Sequence, residues 1–310
     1  MKQQSFPYAF FQNKIVKIEN AKVSIMTNAL QYGTAIFGGI RGYVSADKRF
    51  ISIFRIEDHY KRMLSSAKIL GCSLPYMADE LATLTIKLIK KNKPMGDIYL
   101  RPFAYSGHTN LGPNLANTIF DFSLHMIPLD EYLSLSKGLN VMISSWRRIP
   151  DNSIPPRAKI SGAYVNSALA RKEAYDGGFD EAIMLTQSGQ VSEGSAENIF
   201  IVRDGVLITP AESDDILEGI TRRSVIQIAK DIGIPFKSRT VSRSELYVCD
   251  EAFFSGTGAQ IPWIKSIDKR IINDGKKGKI TSIIQEKFFN IVRGNDDKYS
   301  KWCTKIAIID

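Results

Sequence analysis

The spacing of apolar residues changes several times in the first 126 residues, alternating between strand and helix periods. The chain up to about residue 54 has the β-rich composition of strands and turns. The next stretch has acidic residues in its first turn and Gly71 just past its end, as expected of a capped helix. The predicted elements are strands up to 54, helices at 56–70 and from about 79 to 93, and strands at 97–103 and 118–126. This part predicts a self-contained α/β unit.

A more polar stretch at 127–138 lacks a clean period and is the predicted junction between two domains. Beyond it, Asp204-Gly205 between two β-rich runs is typical of a hairpin turn. The other predicted elements are a strand at 139–146, a helix at 161–176, a strand at 181–186, a helix ending at Gly233, strands near 237 and at 252–255, and a helix at 280–291. The fold class expected is α/β (α+β). Its predicted domains are a small α/β domain at 1–126, an interdomain loop at 127–138 and a larger domain at 139–310.

Composition narrows the class of protein and its surroundings. The 310 residues are 44% hydrophobic and 24% charged, which is typical of a globular protein. No run of apolar residues is long enough to cross a membrane, and three scattered cysteines favour a reducing compartment. The net charge of +9 is scattered apart from a basic run at 265–279, and this run has no interleaved aromatic residues to stack on bases, so nucleic acid is not an expected partner. We therefore expect a cytoplasmic protein without nucleic-acid or membrane partners.

Several common chemistries do not fit the residues present. The three histidines are dispersed, so neither a metal site nor a serine–histidine triad is predicted. No Walker loop occurs, and the turn at 255–258 lacks the remaining residues of a dinucleotide fingerprint. What remains is a lysine held behind a proline turn, Lys159, a glutamate, Glu193, and two stretches suited to a phosphate, at 218–222 and 255–258.

Pyridoxal 5'-phosphate is the cofactor that uses such a set of groups. Its aldehyde needs a lysine, its phosphate needs backbone amides with an arginine or a hydroxyl, and its ring nitrogen needs a carboxylate. The amides at 220 and 221 would open a helix, where an anion is favoured. Each of these features alone is weak evidence for a cofactor site, because a lone lysine is usually exposed and a glycine-rich turn usually has no ligand.

The motifs of the second half resemble a known family. The run Glu193-Gly-Ser-Ala-Glu197-Asn198-Ile-Phe200 is followed by Leu207-Ile-Thr209 and then by Leu217-Glu-Gly219-Ile220-Thr221-Arg222. This combination resembles the pattern of class IV (fold type IV) pyridoxal-phosphate aminotransferases, and the likeness to their branched-chain amino acid branch extends over nearly the whole chain. The resemblance implies a small α/β N-terminal domain and a larger β-barrel-like domain surrounded by helices.

The resemblance also implies roles at the cofactor. Lys159 would form the internal aldimine and move the proton between Cα and C4′, while Glu193 would pair with the ring nitrogen and Tyr164 with the ring O3′. The groups implied for the phosphate are Arg62, Ile220, Thr221 and Thr257. The implied reaction is ping-pong transamination of leucine, isoleucine and valine with 2-oxoglutarate or glutamate, without a metal.

The small domain carries the evidence on substrate. Tyr99-Leu-Arg101-Pro102 matches the Tyr-x-Arg strand of the branched-chain enzymes rather than the Arg-x-His pair of D-amino acid enzymes. The resemblance implies that Tyr99 and the amides of Thr257 and Gly258 bind the α-carboxylate. It implies that Arg101 and the partner subunit's Tyr32 receive the side-chain carboxylate of glutamate. The residues implied for the side-chain pocket are Phe37, Gly39 and Tyr164.

Two departures from the family pattern bear on specificity. Gly38 stands where the family has a glutamate, and Leu129 stands where bacterial enzymes often have a tryptophan. We therefore expect a more permissive pocket, and a D-amino acid or (R)-amine aminotransferase is an alternative on the same fold. A basic binding protein without catalysis is the alternative from another class. Since Tyr32 and the loop at 111–113 are implied to complete a neighbour's site, a homodimer or higher homo-oligomer is expected.

Overall fold

The computed structural model describes residues 4–308. Over this range the chain forms seventeen strands and six α-helices. The strands are β1 (Tyr8–Phe11), β2 (Lys14–Lys17), β3 (Ala35–Phe37), β4 (Ile40–Val44), β5 (Phe50–Phe54), β6 (Ile98–Tyr105), β7 (Asp121–Pro128), β8 (Leu139–Ile143), β9 (Glu181–Leu185), β10 (Val191–Gly194), β11 (Asn198–Arg203), β12 (Val206–Thr209), β13 (Phe236–Ser238), β14 (Glu251–Ser255), β15 (Ile264–Ile267), β16 (Arg270–Ile271) and β17 (Cys303–Ala307). The helices are α1 (Asn28–Tyr32), α2 (Ile56–Ile69), α3 (Ala78–Asn92), α4 (Tyr164–Asp176), α5 (Ile220–Asp231) and α6 (Lys279–Val292).

Of the described residues, the first of two compact units contains 4–130, the short segment Ala158–Gly162 and 290–308. Its eight-stranded sheet has the order β17-β5-β4-β6-β7-β1-β2, and β3 also pairs with β6. Burial alternates along β6, with even-numbered residues buried and odd-numbered ones half-buried as far as Phe103. Because side chains alternate across a strand, Tyr99 and Arg101 lie on the same face of this sheet.

The second unit contains Glu131–Arg157 and Ala163–Phe289. It has a five-stranded sheet, β10-β9-β8-β15-β16, and a four-stranded sheet, β13-β12-β11-β14. Apolar residues from both sheets form one core, for example Val141, Ile183, Ile201 and Phe254. The sheets thus enclose a shared interior, as expected of a barrel-like domain, and the predicted fold class is confirmed.

Elements with strong local signals lie where the sequence predicts them. The helix predicted at 56–70 is α2, and the helix predicted at 161–176 begins with a 3-10 turn and continues as α4. The predicted hairpin turn joins β11 to β12, with positive φ values of 50° at Asp204 and 73° at Gly205. These residue types tolerate such a backbone, so the local pattern was sufficient.

The predicted domain boundaries differ from the two units. The sequence assigned all of 139–310 to one domain, but β17 pairs antiparallel with β5, from Cys303 opposite Phe54 to Ala307 opposite Phe50. The segment Ala158–Gly162 also belongs to the first unit. Strand β7 continues to Pro128, so the connection to β8 is shorter than the predicted 127–138 loop. The reason is long-range strand pairing, which local composition does not reveal.

No helix in the described range 4–308 is long and apolar enough to cross a membrane. Cys72, Cys249 and Cys303 are free thiols.

Candidate active site

Lys159 is held by its backbone in the first unit. The N–H of Phe37 donates to the carbonyl of Lys159 at 3.0 Å, and the N–H of Lys159 donates to Ser66 Oγ at 3.3 Å. Ile160 forms an antiparallel bridge with Ile36. The Lys159 amine lies 4.9 Å from the centre of the Phe37 ring, and the residue is half-buried. The lysine is therefore fixed against β3 and α2.

Arg62 lies on α2, one turn before Ser66. The Ser66 hydroxyl donates to the carbonyl of Arg62 at 2.9 Å and accepts the hydrogen bond from Lys159 described above. The structure therefore brings two predicted cofactor residues, Arg62 and Lys159, to the same buried serine. Ser66 has no signal in the sequence that would have identified it.

Arg101 is held between aromatic rings on β6. Its guanidinium carbon lies 4.7 Å from the centre of the Phe37 ring and 5.2 Å from that of Tyr99. Such contacts stabilise a cation over the ring faces. Across the sheet, Arg101 is directly opposite His125 in β7, and burial together with the Arg101 charge lowers the pKa of His125. Three predicted substrate residues, Phe37, Tyr99 and Arg101, thus form one cluster.

Gly38 and Gly39 face opposite sides of the sheet. A Cβ built on Gly39 would lie 2.0 Å from the Tyr99 hydroxyl, whereas one built on Gly38 would lie 2.7 Å from Pro102 Cγ. Side chains alternate along β6, so Pro102 lies on the opposite face from Tyr99 and Arg101. Because the Cβ at position 38 meets Pro102, a side chain there would start on the other side from Tyr99 and Arg101. The expectation of a more permissive pocket stays a prediction.

Tyr32 is the last residue of α1 and contacts the loop at 111–113. The sequence analysis expects Tyr32 and this loop to complete a neighbour's site together. The N–H of Gly112 donates to Tyr32 Oη at 3.1 Å, and the adjacent Leu111 is 92% exposed. The two elements expected to reach a partner subunit are thus on one surface of the first unit. Their contribution to a neighbour's site stays a prediction.

Glu193 is a buried carboxylate in the second unit with several donors. Arg148 Nη2 lies 2.8 Å from Glu193 Oε1 in an ion pair that is itself buried. Asn198 Nδ2 donates to Glu193 Oε2 at 2.8 Å, and the N–H of Leu217 donates to the same oxygen at 3.1 Å. A buried charge requires such partners. Arg148 was not identified from the sequence, where it is one of two adjacent arginines after β8.

The start of α5 supplies the predicted phosphate amides. Ile220 and Thr221 are its first two residues, and Gly219 precedes them with an extended backbone. The N–H groups of a first helical turn have no acceptor within the helix, and the helix dipole favours an anion there. The next residue, Arg222, is 1% exposed and pairs with Glu212 Oε1 at 2.6 Å and with the Pro210 carbonyl at 2.9 Å.

Thr257 and Gly258 lie in a tight turn after β14. Two backbone hydrogen bonds between Gly256 and Gln260, of 3.0 and 2.7 Å, close this turn. Tyr164 is the first residue of α4 and is half-buried. The second unit therefore holds a buried carboxylate, a helix N-terminus, a closed glycine-containing turn and a tyrosine hydroxyl.

Comparison with known proteins identifies the family. The family model described as amino-transferase class IV matches residues 45–267, well over half of the chain. The chain belongs to the class IV aminotransferases. This family consists of pyridoxal-phosphate enzymes. A probable branched-chain-amino-acid aminotransferase of Aquifex aeolicus is 45% identical over 307 residues, covering 99% of each protein. The Escherichia coli K12 branched-chain-amino-acid aminotransferase is 37% identical over 96% of this class IV chain and 97% of its own length.

Solved structures of class IV relatives agree with the fold. The branched-chain aminotransferase of Thermoproteus uzoniensis, crystallised with norvaline, has a TM-score of 0.94 and 41% identity, covering 98% of this chain and 100% of that chain. The branched-chain amino acid aminotransferase of Thermobaculum terrenum, solved in its holo-form with pyridoxal phosphate, has a TM-score of 0.93 and 35% identity, covering 98% of this chain and 100% of that chain.

Proposed function

We propose that this class IV aminotransferase transfers the amino group of branched-chain L-amino acids to 2-oxoglutarate, using pyridoxal 5'-phosphate. The observation that carries the proposal is the cluster of Phe37, Tyr99 and Arg101 on one sheet face. The Phe37 ring offers an apolar surface, while the Arg101 guanidinium can bind a carboxylate through two hydrogen bonds. Such a surface suits both an aliphatic side chain and the side chain of glutamate.

The groups present fit the cofactor. Lys159 provides the amine for the aldehyde, and its backbone is fixed on both sides. When bound, pyridoxal phosphate supplies an electron sink for the bond that breaks at the substrate Cα. Glu193, which forms a buried ion pair with Arg148, would pair with the ring nitrogen and favour its protonated form. In this proposal the remaining cofactor contacts come from Arg62, Tyr164, Ile220, Thr221 and Thr257.

The residues of this chain handle the substrate proton and carboxylates. The Lys159 amine would take the proton from the substrate Cα and deliver it to C4′ of the cofactor, and in the second half-reaction it would move a proton in the opposite direction. The Tyr99 hydroxyl and the amides of Thr257 and Gly258 hold the α-carboxylate, and Arg101 receives the side-chain carboxylate of glutamate. Gly39 and Phe37 border the aliphatic side chain, together with Tyr164. The two amino-group transfers follow one another in the same site, which gives ping-pong kinetics.

The proposed assembly is a homodimer. In support, the half-buried Tyr32 accepts a hydrogen bond from the N–H of Gly112, next to the exposed Leu111. We propose that Tyr32 and the loop at 111–113 complete the partner subunit's glutamate site. A Tyr32→Phe variant should weaken 2-oxoglutarate binding with little effect on leucine, and sedimentation should show a dimer. An active monomer would contradict this part of the proposal.

The lysine assignment has a direct test. The protein is loaded with pyridoxal phosphate, reduced with borohydride, digested and mapped by mass spectrometry. We expect the reduced cofactor on Lys159 and none in a Lys159→Ala variant. The control is Lys172→Ala, which removes an exposed lysine paired with Asp176. Labelling of another lysine, or no labelling, would refute the proposed function.

A further inference from the structure

Asn198 belongs to the family motif, yet the proposed function gives it no role. It is the first residue of β11 and is 5% exposed. Its amide nitrogen donates to Glu193 Oε2 and to the Leu217 carbonyl, each at 2.8 Å. The N–H of Leu217 donates to the same Glu193 oxygen at 3.1 Å. Asn198, Glu193 and Leu217 are therefore joined in a small buried ring of hydrogen bonds, which includes the Glu193 carboxylate.

The oxygen end of the same amide contacts Gly219. A Cβ built on Gly219 would lie 2.1 Å from Asn198 Oδ1. The backbone of Gly219, with φ −65° and ψ 137°, is one that any residue can adopt, so its conformation does not demand a glycine. A glycine is required at this position because the Asn198 amide approaches its backbone too closely for a side chain.

The chain between these contacts leads directly to the phosphate amides. Leu217 and Gly219 are bound or contacted by Asn198, and Ile220 and Thr221 follow as the first residues of α5. One buried side chain thus touches the carboxylate and the segment that begins the helix. A buried amide with two donated hydrogen bonds has one favourable orientation, because leaving a donor unsatisfied is costly.

We propose that Asn198 is a positioning residue that fixes the Glu193 carboxylate and the amide-bearing start of α5 in a set relationship. This inference rests on the cofactor site proposed above. In this proposal Asn198 makes no contact with the cofactor itself. It holds Glu193, the group proposed for the ring nitrogen, and the start of α5, whose amides are proposed for the phosphate. Arg148 has a different role, because it pairs with the other carboxylate oxygen, Glu193 Oε1, and compensates the charge.

The test measures cofactor affinity, not activity. Pyridoxal phosphate binding is measured by equilibrium dialysis for the wild type, Asn198→Ala, Gly219→Ala and the double variant. The control is Asn140→Ala, which removes an asparagine bonded to Ser266 in the other sheet of the unit. We expect each single variant to raise Kd by about ten- to a hundredfold, as the loss of a hydrogen bond to a charged group does, with the control unchanged. The double variant should cost clearly less than the product of the single effects, because both act on one contact.

A second readout separates positioning from general loosening. The ¹⁵N shift of the ring nitrogen in labelled pyridoxal phosphate reports its protonation, and it should move towards the unprotonated form in Asn198→Ala but not in Asn140→Ala. If Asn198→Ala does not fold, Gly219→Ala alone decides by the same criteria. Single variants with wild-type Kd and ring-nitrogen shift, or effects that multiply in the double variant, would overturn the inference. A wild type that does not bind the cofactor would instead refute the proposed function.

Discussion

The hydroxyl of Tyr99 occupies the space that a side chain at Gly39 would need. A Cβ on Gly39 would lie 2.0 Å from Tyr99 Oη and 2.6 Å from the adjacent ring carbon. Both positions are too close for non-bonded atoms, so the ring could stay in place only with a glycine there. Gly39 therefore determines where the proposed α-carboxylate ligand lies.

The variant Gly39→Ala tests this relationship. The added methyl should displace the Tyr99 ring and lower kcat/KM for leucine by about a hundredfold, the cost typical of a 1 Å misplacement. Pyridoxal phosphate affinity should not change, because Tyr99 does not contact the cofactor in the proposal. The control is Gly96→Ala, since a Cβ there meets nothing within 4 Å. Wild-type kinetics for Gly39→Ala would contradict the assignment of Tyr99.

The buried pair of Arg148 and Glu193 predicts a loss of stability. Arg148→Met removes the guanidinium that pairs with the buried Glu193 carboxylate. We expect the free energy of unfolding of the cofactor-free protein to fall by about 3–5 kcal/mol, as found when one partner of a buried pair is removed. Urea denaturation measures this change. Adding Glu193→Gln to Arg148→Met also removes the buried negative charge and should restore part of the loss. A double variant less stable than Arg148→Met would contradict this prediction.

His125 can report where the glutamate side chain binds. Burial and the charge of Arg101 lower the pKa of His125 in the free protein. A carboxylate at Arg101 offsets that positive charge, so 2-oxoglutarate should raise the pKa of His125. The keto acid of leucine, which has no side-chain carboxylate, should have a smaller effect. An NMR titration of His125 measures both, and equal shifts with the two ligands would argue against Arg101 as the carboxylate site.

Glu181 should make the free energy of unfolding depend on pH. Its side chain is fully buried with Oε2 3.7 Å from Arg171 Nε, and burial raises its pKa above the ordinary 4.5. The native state therefore binds more protons than the unfolded state above that value, and Glu181 lowers stability as pH rises through this window.

The variant Glu181→Gln removes this titration. Its stability relative to the wild type should rise between about pH 4, where the wild-type carboxyl is largely protonated in both states, and neutral pH. Urea denaturation at both pH values measures the difference, with the exposed Glu57→Gln as the control. An equal stability difference at both pH values would contradict a raised pKa.

Local signals in the sequence were sufficient for several elements. Acidic residues in the first turn and Gly71 after the last turn identified α2, and Asp204-Gly205 identified the hairpin, because caps and turns depend on a few adjacent residues. The family motif identified residues such as Glu193 and Thr221 as candidates.

Other features depend on contacts between distant parts of the chain. The pairing of β17 with β5 joins residues about 250 positions apart along the chain. No local sequence pattern indicates such a pairing. Arg148 was not identified from the sequence, and Asn198 stood in the family motif without a role; their ion pair and hydrogen bond to Glu193 are seen only in the structure. The direction of a side chain at Gly38 needed the register of the sheet, because a shift of one residue reverses the face.

The most direct test of the central claim is a single half-reaction. The protein loaded with pyridoxal phosphate is mixed with L-leucine without a keto acid acceptor, and the absorbance and the released keto acid are followed. We expect one equivalent of 4-methyl-2-oxopentanoate per subunit and conversion of the cofactor to its pyridoxamine form, with neither in Lys159→Ala. Conversion by D-alanine or (R)-1-phenylethylamine, and none by L-leucine, would contradict the roles given to Tyr99 and Arg101.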